Sequence, residues 1–367
     1  MVERPLHPIC RIHVDELSDE TGVWQHAIGA QPNRAFGYCT DDVARALEVD
    51  LLHSRGLGWP AIEASAWRSM AFLRDAFNAP QGRFRNFRSA EGEWLEEVGS
   101  EDCHARALVA LGVAIADAPD RRLAGDAAEL FEQALPAARA LNGLRPIAAV
   151  ILACHAALRG GTQGDALEAL RALAARLATA FTGLPSDWPW PDPVVTYENP
   201  LLPWALIAAG SRLADETMLR MGCRVLDWLA LAQTTDSGRL TLVGNQRWWP
   251  RGEAPARFDQ QPIDAASLLL AAEAALTATG AERYRLLAEM AYGWFLGDND
   301  MSVPVAIPAT GGCHDGLTPG GVNLNQGAES TLMWLIALEH MRRLRAASRP
   351  PEAAIPDATS SVPQVGK

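Results

Sequence analysis

Apolar side chains return every three or four residues through most of this chain, and that spacing predicts a succession of helices. Val43, Leu47 and Leu51 mark the first strong one over about 41 to 54, and a second starts at Pro60 and carries Trp67, Met70 and Leu73. The same pattern predicts helices near 102–116, 121–140, 144–159, 164–181, 201–213, 215–233, 263–278, 281–297 and 327–345, with a short one at 12–17. The periodicity breaks at four places. Arg83 to Arg88 alternates and Trp94 to Val98 reads as its return strand, while closely spaced prolines in 183–200 forbid a helix. A third long insertion, 235–261, holds a predicted strand at Arg239–Val243, and a glycine-rich loop fills 310–321.

The helices that follow the long loops share a kind of beginning. Thr40-Asp-Asp-Val-Ala-Arg-Ala-Leu47 and Glu101-Asp-Cys-His-Ala-Arg-Ala-Leu108 match Asp41 to Asp102 and Arg45 to Arg106. Looser polar or proline-bearing lead-ins stand at Asn142, Tyr197, Asp259 and Asn325, so six equivalent helices are expected. Short link, helix, short link, helix, long loop is the rhythm of an all-α (α/α)6 toroid, with six inner helices around an axis and the long loops gathered on one face. An open solenoid of helical hairpins is the alternative, but its repeats would be more uniform in length. The expected organisation is one toroid domain over 1–345 and a disordered tail over 346–367, where periodicity is lost.

Composition narrows the function. About half of the 367 residues are apolar, enough for a large core, and the net charge is -12 with no Lys/Arg-rich block. That argues against nucleic acid as a partner. No secretory signal pattern or membrane-length apolar run is present, so a soluble cytoplasmic protein is expected. The six cysteines lack CxxC spacing and read as small buried hydrophobes. No recognised metal-ligand spacing occurs, and the loop around Gly311 to Gly321 has no phosphate-cradling motif, so neither a metal nor a cofactor is expected.

Gly22-Val-Trp-Gln-His-Ala27, Gly37-Tyr-Cys-Thr-Asp-Asp42 and Asn323-Leu-Asn-Gln-Gly-Ala-Glu-Ser330 resemble a bacterial toroid domain associated with glycosyltransferases and mannoside-processing enzymes. Together with the six lead-ins, the chain from about 8 to 345 resembles the six-hairpin glycosidase-like family, which includes glycoside hydrolases and, more loosely, sugar epimerases. The resemblance implies a sugar or oligosaccharide substrate and allows a glycosyltransferase as partner.

In a toroid the inner-helix N-termini meet in one cup, where Asp41, Asp42, Asp102 and Glu329 are the candidate catalytic carboxyl groups. Glycoside cleavage uses one protonated carboxyl to donate to the leaving oxygen and one ionised partner to activate water or attack carbon. Carboxylates in a first turn also favour the helix dipole, and Asp41 with Arg45 or Asp102 with Arg106 has the spacing of an ordinary ion pair within one helix. Candidate sugar-binding groups are the loop aromatics Trp24, Tyr38, Trp188, Trp190, Trp248 and Trp249, whose flat faces suit a sugar ring. The polar candidates are His26, His104, Glu198, Asn199, Asp259, Gln260, Asp264, His314, Asp315, Asn325 and Gln326. Three readings follow: a glycoside hydrolase working through paired carboxylates, a sugar epimerase using histidine bases, and a non-catalytic glycan-binding module serving a glycosyltransferase.

Overall fold

A computed structural model describes residues 4–347. Twelve α-helices are present among them: α1 (Ile12–Glu16), α2 (Thr40–Leu57), α3 (Trp59–Ala76), α4 (Glu101–Asp117), α5 (Arg121–Ala138), α6 (Leu144–Arg159), α7 (Asp165–Ala180), α8 (Leu201–Leu213), α9 (Glu216–Ala232), α10 (Pro262–Thr279), α11 (Glu282–Phe295) and α12 (Ala328–Ala347). The even-numbered helices form a ring, each packed on the next, and α12 closes it against α2. Helices α3, α5, α7, α9 and α11 each sheath the inner helix that precedes them, and the short α1 lies against α12. This is the (α/α)6 toroid. Its sixth outer position holds only the five residues of α1.

The burial pattern separates the two layers. Helix α10 buries twelve of its residues, including the run Pro262 to Ala272, because it is enclosed by α8, α11 and α12. The outer helices α5 and α9 instead carry one apolar stripe and a polar outer face, the usual pattern of a surface helix. Side chains close the helix beginnings: Ser100 accepts from the Cys103 N–H at 3.0 Å, Asp120 from Arg122 at 2.8 Å and Asp215 from Thr217 at 2.9 Å. The observed boundaries depart from the periodicity by no more than two or three residues.

The tightest inner contact, between α4 and α6, depends on a missing side chain. A Cβ on Gly112 would lie 2.3 Å from the Ala153 carbonyl oxygen. Helix propensity alone would have Gly112→Ala stabilise the chain by about 1 kcal/mol. The steric overlap should reverse the sign, and a loss of about 1–3 kcal/mol is expected in urea unfolding. An unchanged or raised midpoint would show that the two helices can separate freely.

The loops that precede the inner helices carry only short antiparallel pairs. Arg83–Phe84 pairs with Phe77–Asn78, and Phe87–Arg88 pairs with Tyr38–Cys39. The expected return strand at 94–98 is reduced to one bridge, Arg88 to Trp94, because the alternating segment is taken up by the turn before it and by the lead-in of α2. Arg239–Val243 likewise contributes one bridge, Leu240 to Thr234. The proposed tail lies outside the described residues, except Ala346 and Ala347, which extend α12. No helix among the described residues is long and apolar enough to cross a membrane.

Candidate active site

The six inner helices begin at the same end of the ring, so their first turns and lead-in loops enclose a cup. Two lobes, of about 410 and 300 Å3, share Asp41, Arg45, Gln261 and Glu329. The first lobe adds His26, Asp42, Asn86 and Asp315, and the second adds Asp102, Arg106, Tyr197, Glu198 and Asn245. A larger depression of about 670 Å3 lies elsewhere, against Arg4, Arg239 and Asp298, and holds none of these groups.

The loops are fixed by the backbone. Gln25 donates its N–H to Gly37 and accepts one from Ala328, so the lead-ins of α2 and α12 are tied together through residue 25. Gly37 has φ +65, and a Cβ there would lie 2.1 Å from the Arg88 carbonyl oxygen, so only glycine fits this crossing. On the other side Arg145 of α6 clamps the lead-in of α8. It donates to the Tyr197 carbonyl and to Thr196 Oγ1, each at 2.6 Å, and to Asn199 Oδ1 at 3.1 Å, while its guanidinium covers the Tyr197 ring at 4.4 Å. Glu198, thus held, adopts φ 44, a left-handed conformation that costs a non-glycine residue energy.

The repeated arginines do not pair with their own repeated aspartates. Arg45 meets Asp42 at 3.1 Å and crosses to Glu329 of α12 at 2.9 Å. Arg106 reaches across to both oxygens of Glu198, at 2.7 and 2.8 Å. Asp41 and Asp102 are therefore left without an arginine. Asp41 Oδ1 is buried and has no hydrogen-bond partner, and Asp102 Oδ2 accepts only from the Tyr197 hydroxyl, at 3.3 Å. Burial raises the pKa of Asp41 against the pull of Arg45 and Arg106, with Glu329 and Asp102 adding to the rise. Burial also raises Asp102, reinforced by Glu198. For Asp42, burial pushes the value up to about 8 despite the Arg45 contact.

Asp264 lies behind this floor and lines neither lobe. It is buried, and burial together with Glu198 raises its pKa to about 8 although the backbone N–H groups of Asn199 and Glu198 oppose the shift. A raised native value means that the folded state holds a proton which the unfolded chain releases near pH 4. Stability should then fall as pH rises from about 4 to about 8, by roughly a few kcal/mol. Asp264→Asn is expected to flatten part of that fall in thermal midpoints taken at pH 5, 7 and 9. A wild-type midpoint that rises across the window would contradict it.

Of the residues singled out from the sequence, His26, Asp41, Asp42, Asp102, Glu198, Asp315 and Glu329 line the cup. The aromatic expectation needs correction. Trp24 stacks on Tyr38 at 4.2 Å, both are buried, and the Tyr38 hydroxyl donates to Asp19. Trp188, Trp190 and Trp249 pack with Trp228 in a four-ring cluster under the α8 and α10 loops. Trp248 is partly exposed but lines neither lobe, and its indole N–H donates to Asn245, which does.

His104 is sealed in the core against Phe84, with neither ring nitrogen hydrogen-bonded, and burial drops its pKa to about 3. Gln260 accepts from the Trp294 indole and donates to Asp300, Asn199 Oδ1 accepts from the Thr196 N–H, and Asn325 Oδ1 accepts from the Gly29 N–H. The Gln326 carbonyl meets His13 at 2.9 Å, the Asp259 carbonyl accepts from Asn245, and His314 is half-buried. These groups, with Asp259 and His314, build the loops and do not line the cup. Arg45, Arg106, Tyr197 and Gln261 do line it and were not among the expected binding groups. The Ala-Arg-Ala repeat was the available signal for the two arginines. Among the described residues no group of three or more His, Cys, Asp or Glu is placed to hold a metal ion.

No protein-family model matches this sequence, and no curated protein matches it. Solved structures do match in fold. Cellobiose 2-epimerase from Spirochaeta thermophila is 17% identical with a TM-score of 0.69, over 95% of this chain and 92% of that one. A sugar epimerase from a ruminal bacterium is 14% identical with a TM-score of 0.68, over 90% and 94%. An α-1,6-mannanase of Salegentibacter sp. is 11% identical with a TM-score of 0.58, over 91% and 96%; it was solved with α-1,6-mannotetrose as an inactive variant in which two consecutive aspartates are replaced by alanine.

Proposed function

We propose that this chain, which has the fold of the six-hairpin glycosidase-like superfamily, cleaves a glycosidic bond in a short neutral oligosaccharide by paired-carboxylate chemistry. The observation that carries this reading is Asp41: a raised carboxyl, one oxygen of which is buried without a hydrogen-bond partner, at the point where the two lobes meet, beside the arginine-paired carboxylate of Glu329. One sugar ring occupies each lobe, and the linking oxygen lies over Asp41. Asp41 gives its proton to that oxygen as the bond to the anomeric carbon breaks. Glu329 takes a proton from the water that adds to the carbon. Arg45 holds Glu329 and Asp42 in place, and Asp102 with Tyr197 offers an acceptor and a flat ring to one sugar. The mannanase inactivated at consecutive aspartates supports giving Asp41 and Asp42 to the reacting centre.

The histidine-based epimerase reading has only His26 at the cup, which leaves it without a second base on the opposite side of a sugar. The deciding experiment incubates the purified chain with manno- and gluco-oligosaccharides, with and without phosphate, and follows products by NMR. New reducing ends are expected. An epimer without cleavage would overturn the hydrolytic reading, and saturable binding without turnover would favour the glycan-binding module.

A further inference from the structure

The opposite end of the ring carries a second cavity, of about 290 Å3, which all six inner helices line. Its inner end is one layer of side chains, the ninth residue of five of those helices: Glu48 of α2, Val109 of α4, Leu152 of α6, Leu270 of α10 and Ile336 of α12. Four are aliphatic and one is a carboxylic acid. Glu48 Oε1 is buried and has no hydrogen-bond partner, and burial raises the pKa of the group against the fields of Arg106 and Arg45 above it. An unsatisfied acid in an aliphatic layer is costly unless something meets it.

The outer end of the cavity has the opposite character. Arg159 and Arg343 stand there with Asp117, Thr277 and the His340–Glu273 pair, whose contact is 2.5 Å. Arg159 shares Asp117 with Arg55, so two guanidinium groups face one carboxylate. Arg343 is exposed, and its charge adds to the His340 contact in holding the Glu273 carboxyl below its usual range. The lining of the mouth thus sets two guanidinium groups against the carboxylates of Asp117 and Glu273, with Arg55 a third guanidinium beside Asp117.

From this arrangement we propose that the second cavity is a binding site for a small amphiphilic carboxylate, with its anionic head on Arg159 and Arg343, its apolar body between the helices and a hydroxyl at its far end on Glu48. The seven-residue step from Ile336 to Arg343 corresponds to about 10 Å along a helix axis, the reach of a medium-chain fatty carboxylate. Small side chains at Ala156, Ala208 and Ala274 leave the space for its body. The walls between the two ends are mostly apolar, with His155, Trp204 and Ser211 as the polar exceptions.

Titration calorimetry with octanoate and with its ω-hydroxy derivative tests the assignment. Both should bind saturably, with the hydroxylated ligand about ten-fold tighter, the order expected for one hydrogen bond to a buried group. Arg343→Gln, a surface change, should weaken both several-fold. Glu48→Leu should remove the advantage of the hydroxyl while keeping octanoate binding. Ala208→Trp, which fills the cavity, should abolish both, and Ala274→Leu provides a milder filling if the tryptophan variant does not fold. Absence of saturable binding to either ligand, or binding that survives both filling variants, would overturn the proposal.

Discussion

Asp41→Asn is expected to lower kcat on an oligosaccharide by about 100- to 10,000-fold, the range over which a positioned proton donor contributes. The amide keeps the shape of the carboxyl and removes its proton. Substrate affinity should change only a few-fold, since Arg45, Glu329 and the rest of both lobes remain. The sharper check is a change of leaving group. A nitrophenyl glycoside departs without a proton, so the variant should recover most of the wild-type rate on it while remaining slow on the natural linkage. Full activity of Asp41→Asn on an oligosaccharide would remove Asp41 from the chemistry. An equal loss on both substrates would point to a positioning role.

The second large effect is on stability. Arg106→Ala leaves Glu198, which is only 5% exposed, without its bidentate partner. Removing one member of a buried pair costs about 3–5 kcal/mol, because the remaining charge keeps its desolvation penalty and loses its compensation. Urea unfolding should report that loss. The double variant Arg106→Ala with Glu198→Gln should regain a large part of it, since the neutral amide no longer needs a cation. If Arg106→Ala unfolds like the wild type, water must reach Glu198 and replace the pair.

These two sites differ in how far the sequence discloses them. Asp41 and Asp102 were legible because they repeat, each three residues before Ala-Arg-Ala-Leu, at the start of a helix whose period was also legible. The pairing of the arginines was not. Spacing along one helix suggested Asp41 with Arg45 and Asp102 with Arg106, yet Arg45 pairs with Asp42 and with Glu329 of the neighbouring α12, and Arg106 reaches Glu198 in the lead-in of α8. A helical side chain leans toward the N-terminus of its helix, and in a closed ring the first turns and lead-ins of other helices gather there as well. Composition was misleading for Trp24, Trp188, Trp190 and Trp249: tryptophans in irregular segments looked available to a sugar, but Trp24, Trp188 and Trp190 are buried in the helical core and Trp249 packs against it.

By itself, then, the sequence determined the helices, their order, the toroid they close into and the end at which the acidic lead-ins collect, because hydrophobic period, link length and lead-in repeats are all local properties of the chain. Which carboxyl is left without an arginine, which histidine is sealed away and where an unsatisfied acid faces a second cavity were decided only by tertiary structure. Desolvation and charge pairing depend on distances within the ring, between residues as far apart in the chain as Arg45 and Glu329.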